Sequence, residues 1–457
     1  MITIPTREKI NAEISLPGSK SITNRALVIG ALAKGETELI NRLECEDTSV
    51  MIHCLRDLGY TITATGDTLR VQGRGGFVPS HQARLNTLNS GTTMRFLTGL
   101  VALGEGTYIL DGNPRMRERP IEDLLTGLRS LGVDARSLNK NGCPPVTVRA
   151  GGLPGGDCLL SGDTSSQFLS SLLLSSPYAA RPVSIRIIGK LVSRPYIEMT
   201  IRMMSDFGVS IMKEDPRTFT IPAGQQYRGR RYTIEGDASS ASYLFAAAAI
   251  TGGSVTVSNL GQASIQGDAR FVDILGALGA EVRKDYTRLT VSGQIKEGIE
   301  ADLNTMPDMV PTLAVTALFA RGKTVIKNVA NLRYKESDRL RATATELRKI
   351  GGIIEELPDG LIIEGGELHG AEIETYNDHR IAMAFSLAGL RIPGIKIRNP
   401  DCVTKTFPIS SILYLIFSPL YPCPIESTGA GIKRIKKGGS IWSRPFQVRV
   451  IRCRLSA

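Results

Sequence analysis

The protein has 457 residues, of which 42% are apolar and 22% charged, and this balance is typical of a folded globular protein and excludes a disordered chain. A chain of this length exceeds one compact core and predicts two domains. The net charge is +11, but residues 409–457 carry eight cations and one acid, so residues 1–408 hold only +4. The charge therefore gives no reason to expect a nucleic-acid partner, although it is compatible with a cationic cleft for a small anion.

The N-terminus and the cysteines indicate the compartment. Residues 1–5 show no basic flank ahead of an apolar core, and no run of about 18 apolar residues occurs, so we expect neither a secretory signal nor a membrane partner. The seven cysteines are scattered without a C-x-x-C pair, which is typical of reduced thiols. The four histidines lack the spacing of metal ligands. We therefore expect a cytoplasmic protein without a bound metal.

One pattern recurs along the chain, in which a helix ends in a hydrophobic residue and Gly, and two short strands joined by a turn follow. It occurs at Leu58-Gly59, Leu131-Gly132, Phe207-Gly208, Leu278-Gly279 and Ile350-Gly351, with glycine spacings of 73, 76, 71 and 72 residues. Gly favours this position because it enters the left-handed region without a Cβ clash. The period predicts about six mixed α/β units, three in each domain.

The helices that precede these strands are apolar nearly all round, which predicts that they are buried. Several predicted helices begin with a short polar segment, at residues 18–21, 89–92, 164–167, 237–240 and 377–380. Each segment alone is typical of an ordinary N-cap. Because buried helices of one repeat architecture lie side by side, we expect their N-termini to converge. Free N–H groups together with Lys20, Arg25, Arg95 and Arg380 then predict a site for a phosphorylated or carboxylated ligand.

The second half of the chain supplies acidic and basic groups. Residues 306–308 are predicted to begin an apolar helix, and residues 331–339 to begin a long one. In that long helix Lys335 and Arg339 would share a face, with Glu336 beside it. Cations are locally unfavourable at a helix N-terminus, so an anionic ligand would explain them. No complete nucleotide-binding motif is present, because the Gly-Ser-Lys-Ser at 18–21 lacks the first glycine of a phosphate-binding loop.

Ten motifs of the sequence resemble, in order, those of the 5-enolpyruvylshikimate-3-phosphate synthase family. They lie at residues 16–27, 89–97, 114–121, 165–173, 192–200, 235–243, 306–314, 331–340, 375–385 and 402–408. The resemblance implies an α/β fold, a two-domain inside-out α/β barrel built from six repeated mixed α/β units, three per domain. It implies one domain at 21–234 and a second at 1–20 plus 235–408, with the active site between them. Residues 409–457 form an atypical basic tail outside the family pattern.

The resemblance also implies a reaction. The enolpyruvyl group of phosphoenolpyruvate moves to the 5-hydroxyl of shikimate 3-phosphate, and phosphate is released, by addition and then elimination. This is a step of the shikimate pathway toward chorismate and the aromatic amino acids. Both substrates are anionic, so the site must cancel the repulsion between them. The implied partners are these two small molecules, with no cofactor and a monomeric chain.

Residue roles follow from the same motifs. For shikimate 3-phosphate the resemblance implies Lys20, Ser21, Arg25, Ser165, Ser166, Gln167, Ser193, Tyr196, Asp308, Asn331 and Lys335. For phosphoenolpyruvate it implies Lys20, Gly91, Arg119, Gln167, Arg339, Arg380 and Lys405. In the chemistry Asp308 would accept the 5-hydroxyl proton, Glu336 would handle the proton at C3, and Lys20 would protonate the departing phosphate oxygen. His379 is either a further proton carrier or a structural histidine.

Three alternatives stay open from the sequence. The related UDP-N-acetylglucosamine enolpyruvyl transferases usually have Asn after the N-terminal Lys and a Cys on a mobile loop, whereas here Ser21 follows Lys20 and residues 112–120 contain no Cys. A nucleic-acid-binding protein is suggested only by the net charge. A synthase inactivated by its tail is the third, because family members usually close with an acidic helix where residues 409–457 turn apolar and then basic.

Overall fold

The computed structural model describes residues 1–406 and the backbone of residues 450–454. The predictions for residues 409–457 therefore lie outside the described residues, apart from one strand. The helices are α1 Lys20–Leu32, α2 Glu46–Asp57, α3 Gly91–Leu100, α4 Glu122–Ser130, α5 Ser166–Ser175, α6 Arg194–Asp206, α7 Ala238–Thr251, α8 Phe271–Ala277, α9 Val310–Ala317, α10 Arg339–Lys349 and α11 His379–Gly389.

The strands are short and form six sheets among the described residues. They are β1 Ile2–Thr3, β2 Asn11–Ile14, β3 Lys34–Ile40, β4 Thr61–Thr65, β5 Thr68–Arg74, β6 Gln82–Asn86, β7 Glu105–Asp111, β8 Asp134–Ser137, β9 Val146–Gly151, β10 Gly156–Ser161, β11 Val183–Ile188, β12 Met212–Asp215, β13 Thr218–Ile221, β14 Arg231–Thr233, β15 Ser254–Val257, β16 Glu281–Lys284, β17 Leu289–Ser292, β18 Glu300–Asp302, β19 Lys323–Lys327, β20 Ile353–Leu357, β21 Gly360–Glu364, β22 Glu372–Ile373, β23 Lys396–Ile397 and β24 Val450–Arg454.

A single unit recurs, in the order strand, helix, strand, helix, hairpin. In the unit that starts at β6, the chain runs through α3, β7 and α4 to the hairpin β8–β9, and the sheet order is β6-β7-β9-β8. The first two strands are parallel, which requires the helical crossover between them, and the rest are antiparallel. The units that start at β10 and β18 repeat this order. The glycines after the second helices adopt φ between 89° and 110°, as predicted.

Two units take their first strand from a distant part of the chain. Strand β14 pairs in parallel with β3, and β2 pairs in parallel with β15. The chain therefore crosses between the two halves of the molecule twice, once before α1 and once before α7. The crossing segments bond to each other, because Ser19 N donates to Glu235 O at 2.9 Å and Asp237 N to Pro17 O at 3.0 Å. Gly18 is required there, since a Cβ would lie 1.9 Å from Asn41 O.

The sixth unit is shorter within the described residues. It contains β22, α11 and β23, and the N-terminal strand β1 pairs antiparallel with β23. The C-terminal strand β24 pairs antiparallel with β2 at the edge of another sheet. The chain therefore ends its described part beside strands from its own beginning.

Two hydrophobic clusters hold the structure together. One draws on residues between 22 and 234, and the other on residues 4–16 and 238–403. Helices α1, α3 and α5 lie in the first cluster and α7, α9 and α11 in the second, and nearly every residue of each is buried. The prediction that these apolar helices are internal is confirmed. Their burial fixes where each polar N-terminus lies.

The prediction for residues 331–349 was wrong in one respect. Residues Ala330–Tyr334 form a 3-10 turn, the next four residues are not helical, and α10 begins only at Arg339. Asp338 ends the irregular segment, because its side chain accepts from Arg341 N at 3.1 Å and caps the helix. Lys335 and Arg339 therefore do not share a helical face.

Two further observations concern the described residues only. None of their helices is both long enough and apolar enough to cross a membrane. Within the same part of the chain, no group of three or more His, Cys, Asp or Glu side chains is placed to hold a metal ion.

Candidate active site

Helix N-termini meet at one cavity between the two hydrophobic clusters. The first turns of α1, α3, α5, α6, α10 and α11 all contribute to its wall. The cavity contains about 650 Å³ of space free of protein atoms, part of it open to solvent. Its lining residues are Lys20, Ser21, Arg25, Asp47, Gly91, Thr92, Arg119, Ser166, Gln167, Ser193, Tyr196, Pro307, Asp308, Lys335, Glu336, Arg339, His379 and Arg380. Both halves of the molecule therefore build one site.

Buried cations dominate this wall. Arg119 is 4% exposed, Arg339 1% and Arg380 5%. A desolvated charge is costly unless it is paired, so each of these groups needs an anionic partner or a hydrogen-bond acceptor. The structure supplies these from carboxylates and backbone carbonyls of the protein itself.

Asp308 is the central carboxylate of the cavity. Its Oδ1 lies 3.0 Å from Arg339 Nη1, and its Oδ2 lies 2.8 Å from Arg380 Nη2. Lys335 Nζ is 3.9 Å away. Burial raises the pKa of Asp308, but the three cations outweigh burial and hold this pKa well below its usual range. Asp308 is therefore ionised and able to accept a proton.

Glu336 joins cations from two elements. It accepts from Arg339 Nη2 at 2.7 Å, and its other oxygen lies 3.3 Å from Lys405 Nζ. Lys405 Nζ also donates to Asn89 O at 2.8 Å, on the opposite wall. Burial raises the pKa of Glu336, but the surrounding cations, Lys405 first, lower it well below its usual value. The carboxylate and Lys405 thus bridge the two halves at the cavity.

Asp378 holds Arg339 and the start of α11 in place behind the cavity wall. This fully buried residue caps α11 by accepting from Arg380 N, and it accepts from Arg339 Nε at 2.8 Å and Ser337 Oγ at 3.0 Å.

His379, the next residue in the chain, has no hydrogen-bond partner in the protein at either ring nitrogen. Burial, together with Lys20 and Arg380, lowers the pKa of His379 well below its usual value. The imidazole is therefore neutral.

Lys20 faces the cavity from the first turn of α1. Its Nζ lies 3.0 Å from Oδ2 of Asp47, which is 2% exposed. Burial lowers the pKa of Lys20, but the Asp47 carboxylate contributes to a net raised value. Lys20 is therefore a protonated donor. The other oxygen of Asp47 has no hydrogen-bond partner in the protein.

The opposite wall is polar and closely packed. Arg25 donates from Nε to Thr200 Oγ1 at 2.7 Å, and its guanidinium lies 5.1 Å from the centroid of the Phe96 ring. Tyr196 donates its hydroxyl hydrogen to Asp268 Oδ2 at 2.9 Å. These contacts hold two predicted substrate-binding side chains in fixed orientations.

Gly91 leaves room for a guanidinium. A Cβ at this position would lie 2.6 Å from Arg119 Nη2. Arg119 Nη1 donates to Asn89 O at 3.2 Å, in the turn that precedes α3. The absence of a side chain at Gly91 therefore decides where Arg119 can lie.

All but three of the residues that the family resemblance implied line the cavity. Ser165 instead caps α5 by accepting from Gln167 N, and Asn331 is buried in its 3-10 turn. Lys405 contacts the lining residue Glu336. The polar segment 237–240, at the start of α7, does not line the cavity either.

Arg95 lies outside the cavity wall, contrary to the prediction of an anion site. Its guanidinium donates to Pro120 O at 3.0 Å and so fixes the segment that carries Arg119. Sequence reasoning missed Asp47, Thr92 and Pro307 as lining residues. Asp47 gave no signal, because acidic residues such as Glu46 and Asp47 are ordinary in the first turn of a helix.

Comparison with known proteins identifies the family of the chain. The family model described as EPSP synthase (3-phosphoshikimate 1-carboxyvinyltransferase) matches residues 4–410. The chain belongs to the EPSP synthase family.

Curated relatives and solved structures extend the match. The chain is 47% identical over 412 residues to a 3-phosphoshikimate 1-carboxyvinyltransferase of Nostoc punctiforme, covering 89% of this chain and 96% of the relative. It is 46% identical over 405 residues to one of a Shewanella species, covering 88% and 95%. An EPSP synthase structure from Acinetobacter baumannii superposes with a TM-score of 0.75 at 29% identity, covering 90% of this chain and 96% of that one. The predicted family and its two-domain α/β fold are confirmed.

Proposed function

We propose that the chain transfers the enolpyruvyl group of phosphoenolpyruvate to the 5-hydroxyl of shikimate 3-phosphate and releases phosphate. It is an enzyme of the family that carries this activity, 3-phosphoshikimate 1-carboxyvinyltransferase. The observation that supports the assignment best is the set of buried cations from both halves around one cavity, since two mutually repelling anions must be held there together.

The two substrates bind to different walls of the cavity. The hydroxyl-rich wall, with Ser166, Ser193 and Tyr196 beside Arg25, suits a sugar-like phosphate. Arg119, Arg339 and Arg380 suit the carboxylate and phosphate of the smaller substrate. We place the domain boundary at the two crossing segments, with domains 21–234 and 1–20 plus 235–408. The two separate hydrophobic clusters support this division.

Asp308 is the base that removes the 5-hydroxyl proton. Arg380, Lys335 and Arg339 hold its pKa low, which favours the ionised acceptor form but weakens the base. Anionic groups of phosphoenolpyruvate would compete with Asp308 for Arg339 and Arg380. Because Asp308 would then be paired less strongly, its pKa would rise and it would become a stronger base.

Two further groups complete the addition and the elimination. Lys20, protonated and compact, donates to the phosphate oxygen that leaves C2. Glu336 handles the proton at C3, which is added in the first step and lost in the second. When Arg339 and Lys405 bind substrate, they pair less strongly with Glu336, and the pKa of Glu336 rises for the same reason as that of Asp308.

We further assign a monomer that works in the cytoplasm. Residues from both halves of the chain line the cavity, which suits a site built within a single subunit. The cysteines of the described residues are free, which suits a reducing compartment.

The Asp308→Ala variant tests the assignment. Without its base the enzyme should release phosphate from the two substrates about 10³-fold more slowly, or not measurably, while shikimate 3-phosphate still binds. Phosphate release and calorimetric binding measure the two effects. Asp57→Ala, at an exposed carboxylate remote from the cavity, is the matched control. Near-normal turnover of Asp308→Ala would remove Asp308 from the mechanism, and an inactive wild-type chain would overturn the function.

A further inference from the structure

A second buried carboxylate lies just behind the cavity wall. Asp268 sits in the 3-10 turn Gly267–Arg270 and is 4% exposed. Its Oδ2 accepts from the Tyr196 hydroxyl at 2.9 Å and from the Ser239 hydroxyl at 2.5 Å. Its Oδ1 is buried and has no hydrogen-bond partner in the protein. Such a group is costly to keep, so a role in the site would explain it.

Asp268 is connected to both substrate walls. Tyr196 belongs to α6, in the half of the molecule opposite to Asp268, and lines the cavity. Ser239 belongs to α7 and accepts from Arg380 Nη2 at 3.3 Å. That same nitrogen of Arg380 lies 2.8 Å from Asp308 Oδ2. One carboxylate therefore touches the hydroxyl wall directly and the cation wall through Ser239.

The protons in this network have only one arrangement when Asp268 is ionised. A carboxylate accepts hydrogen bonds and cannot donate them, so both hydroxyl hydrogens point to Asp268. The Tyr196 oxygen then offers only lone pairs to the cavity, and the Ser239 oxygen is free to accept from Arg380. We infer that ionised Asp268 is a positioning residue, which makes Tyr196 a hydrogen-bond acceptor for a hydroxyl of the substrate and orients Arg380 through Ser239. This inference rests on the proposed function.

The electrostatic surroundings support a dependence on pH. Burial and, to a smaller extent, the neighbouring Asp308 raise the pKa of Asp268 to about 6, although Ser239, Arg380 and Tyr196 oppose the shift. These are the groups that face Asp268 from α6, α7, α11 and the turn before α9. Above this pKa the carboxylate is ionised and the network is complete. As the pH falls through about 6, Asp268 takes up a proton, and the hydrogen bonds from the two hydroxyls lose the strength that the negative charge gives them.

The Asp268→Asn variant tests the inference, since it keeps the shape of the side chain and removes its titration. At pH 7.5 we expect kcat/KM to fall about 10- to 100-fold, the loss typical of a hydrogen bond to a charged group. The inflection of the wild-type pH profile near 6 should disappear. Asp273→Asn, at an exposed carboxylate of the next helix α8, is the control, and it should keep both the wild-type kcat/KM and the inflection near pH 6. An unchanged pH profile and kcat/KM in Asp268→Asn would overturn the inference.

Two further variants separate positioning from a structural role. Ser239→Ala should raise KM for phosphoenolpyruvate alone, because it removes the hydroxyl that links Asp268 to Arg380 and leaves the bond between Asp268 and Tyr196 in place. Tyr196→Phe should raise KM for shikimate 3-phosphate alone, and Asp268→Asn should raise both. If Asp268→Asn does not fold, as judged by circular dichroism, these two variants decide, and unchanged KM values overturn the inference. A wild-type chain that releases no phosphate would instead refute the proposed function.

Discussion

At the scale of single residues, the charges of the cavity are already matched within the protein. The guanidinium of Arg339 alone donates to Asp308, Glu336 and Asp378, using the fork geometry of its N–H groups. Lys20 and Arg380 have their own carboxylates. Binding of an anionic substrate is therefore an exchange of partners, and the carboxylates released in that exchange become stronger bases.

Lys20 should be indispensable. In Lys20→Met the donor to the departing phosphate oxygen is lost, and the buried carboxylate of Asp47 is left without its cation. We expect phosphate release to slow by about 10³-fold, as for the loss of a donor that stabilises developing charge. Steady-state phosphate assays measure it. The exposed Lys34→Met serves as control, and a merely few-fold loss in Lys20→Met would exclude Lys20 from catalysis.

Gly91 should set the affinity for the smaller substrate. In Gly91→Ala the new methyl group would overlap the Arg119 guanidinium, which must move away from its present place. The fold should survive, because the displaced atoms are the end of a flexible side chain and Ala suits a helix. We expect KM for phosphoenolpyruvate to rise about 10-fold, with little change in KM for shikimate 3-phosphate. Equal changes in both KM values would contradict this account.

At the scale of secondary-structure elements, one carboxylate caps two helices. Asp237 is the N-cap of α7, where its Oδ1 accepts from Ser240 N at 2.7 Å. Its Oδ2 accepts from Lys20 N at 2.9 Å, in the first turn of α1. These helices follow the two crossings between the halves. Asp237 thus joins the two elements at the point where the chain changes sides.

Asp237→Ala should therefore destabilise the protein more than loss of an ordinary cap. Each missing cap costs about 1 kcal/mol, so we expect the free energy of unfolding to fall by about 2 kcal/mol. Urea denaturation at neutral pH measures the change. Ser165→Ala, which removes a cap from α5 only, is the reference and should cost about half as much. Equal losses in the two variants would show that Asp237 serves only one helix.

At the scale of the whole molecule, the two halves also meet at Arg115, which bonds to the backbone of the cavity-lining residue Lys335. Arg115, in the loop before α4, donates from Nη2 to Lys335 O at 3.0 Å and from Nε to the same oxygen at 3.2 Å. Arg333 O accepts from the same guanidinium at 3.4 Å. These bonds hold the irregular segment before α10, and with it the side chains of Lys335 and Glu336, against the opposite half.

Arg115→Ala should loosen this arrangement. We expect both KM values to rise about 3- to 10-fold, the loss of one or two hydrogen bonds, and the radius of gyration to increase in small-angle X-ray scattering. Arg117→Ala is the matched control, because Arg117 pairs with Asp111 inside its own half. If both variants behave alike, Arg115 has no part in holding the halves together.

Local chemistry determined much of this protein. Periodicity and glycine placement predicted the units, since a helix end needs a left-handed residue wherever it occurs. All-round apolar helices predicted their own burial, and the polar segments at residues 18–21, 89–92 and 377–380 predicted ends that face an anion. The family motifs named most of the cavity wall. All of these are properties that a short stretch of chain carries by itself.

Contacts between distant parts of the chain were decided only by the tertiary structure. The pairing of Lys20 with Asp47 and the bonds of Asp268 to Tyr196 and Ser239 depend on which helices become neighbours. The late start of α10 depends on the competition between capping by Asp338 and continuation of the helix. Sequence spacing does not encode these distances, because charge and hydrogen-bond energies depend on separation and burial in the folded chain.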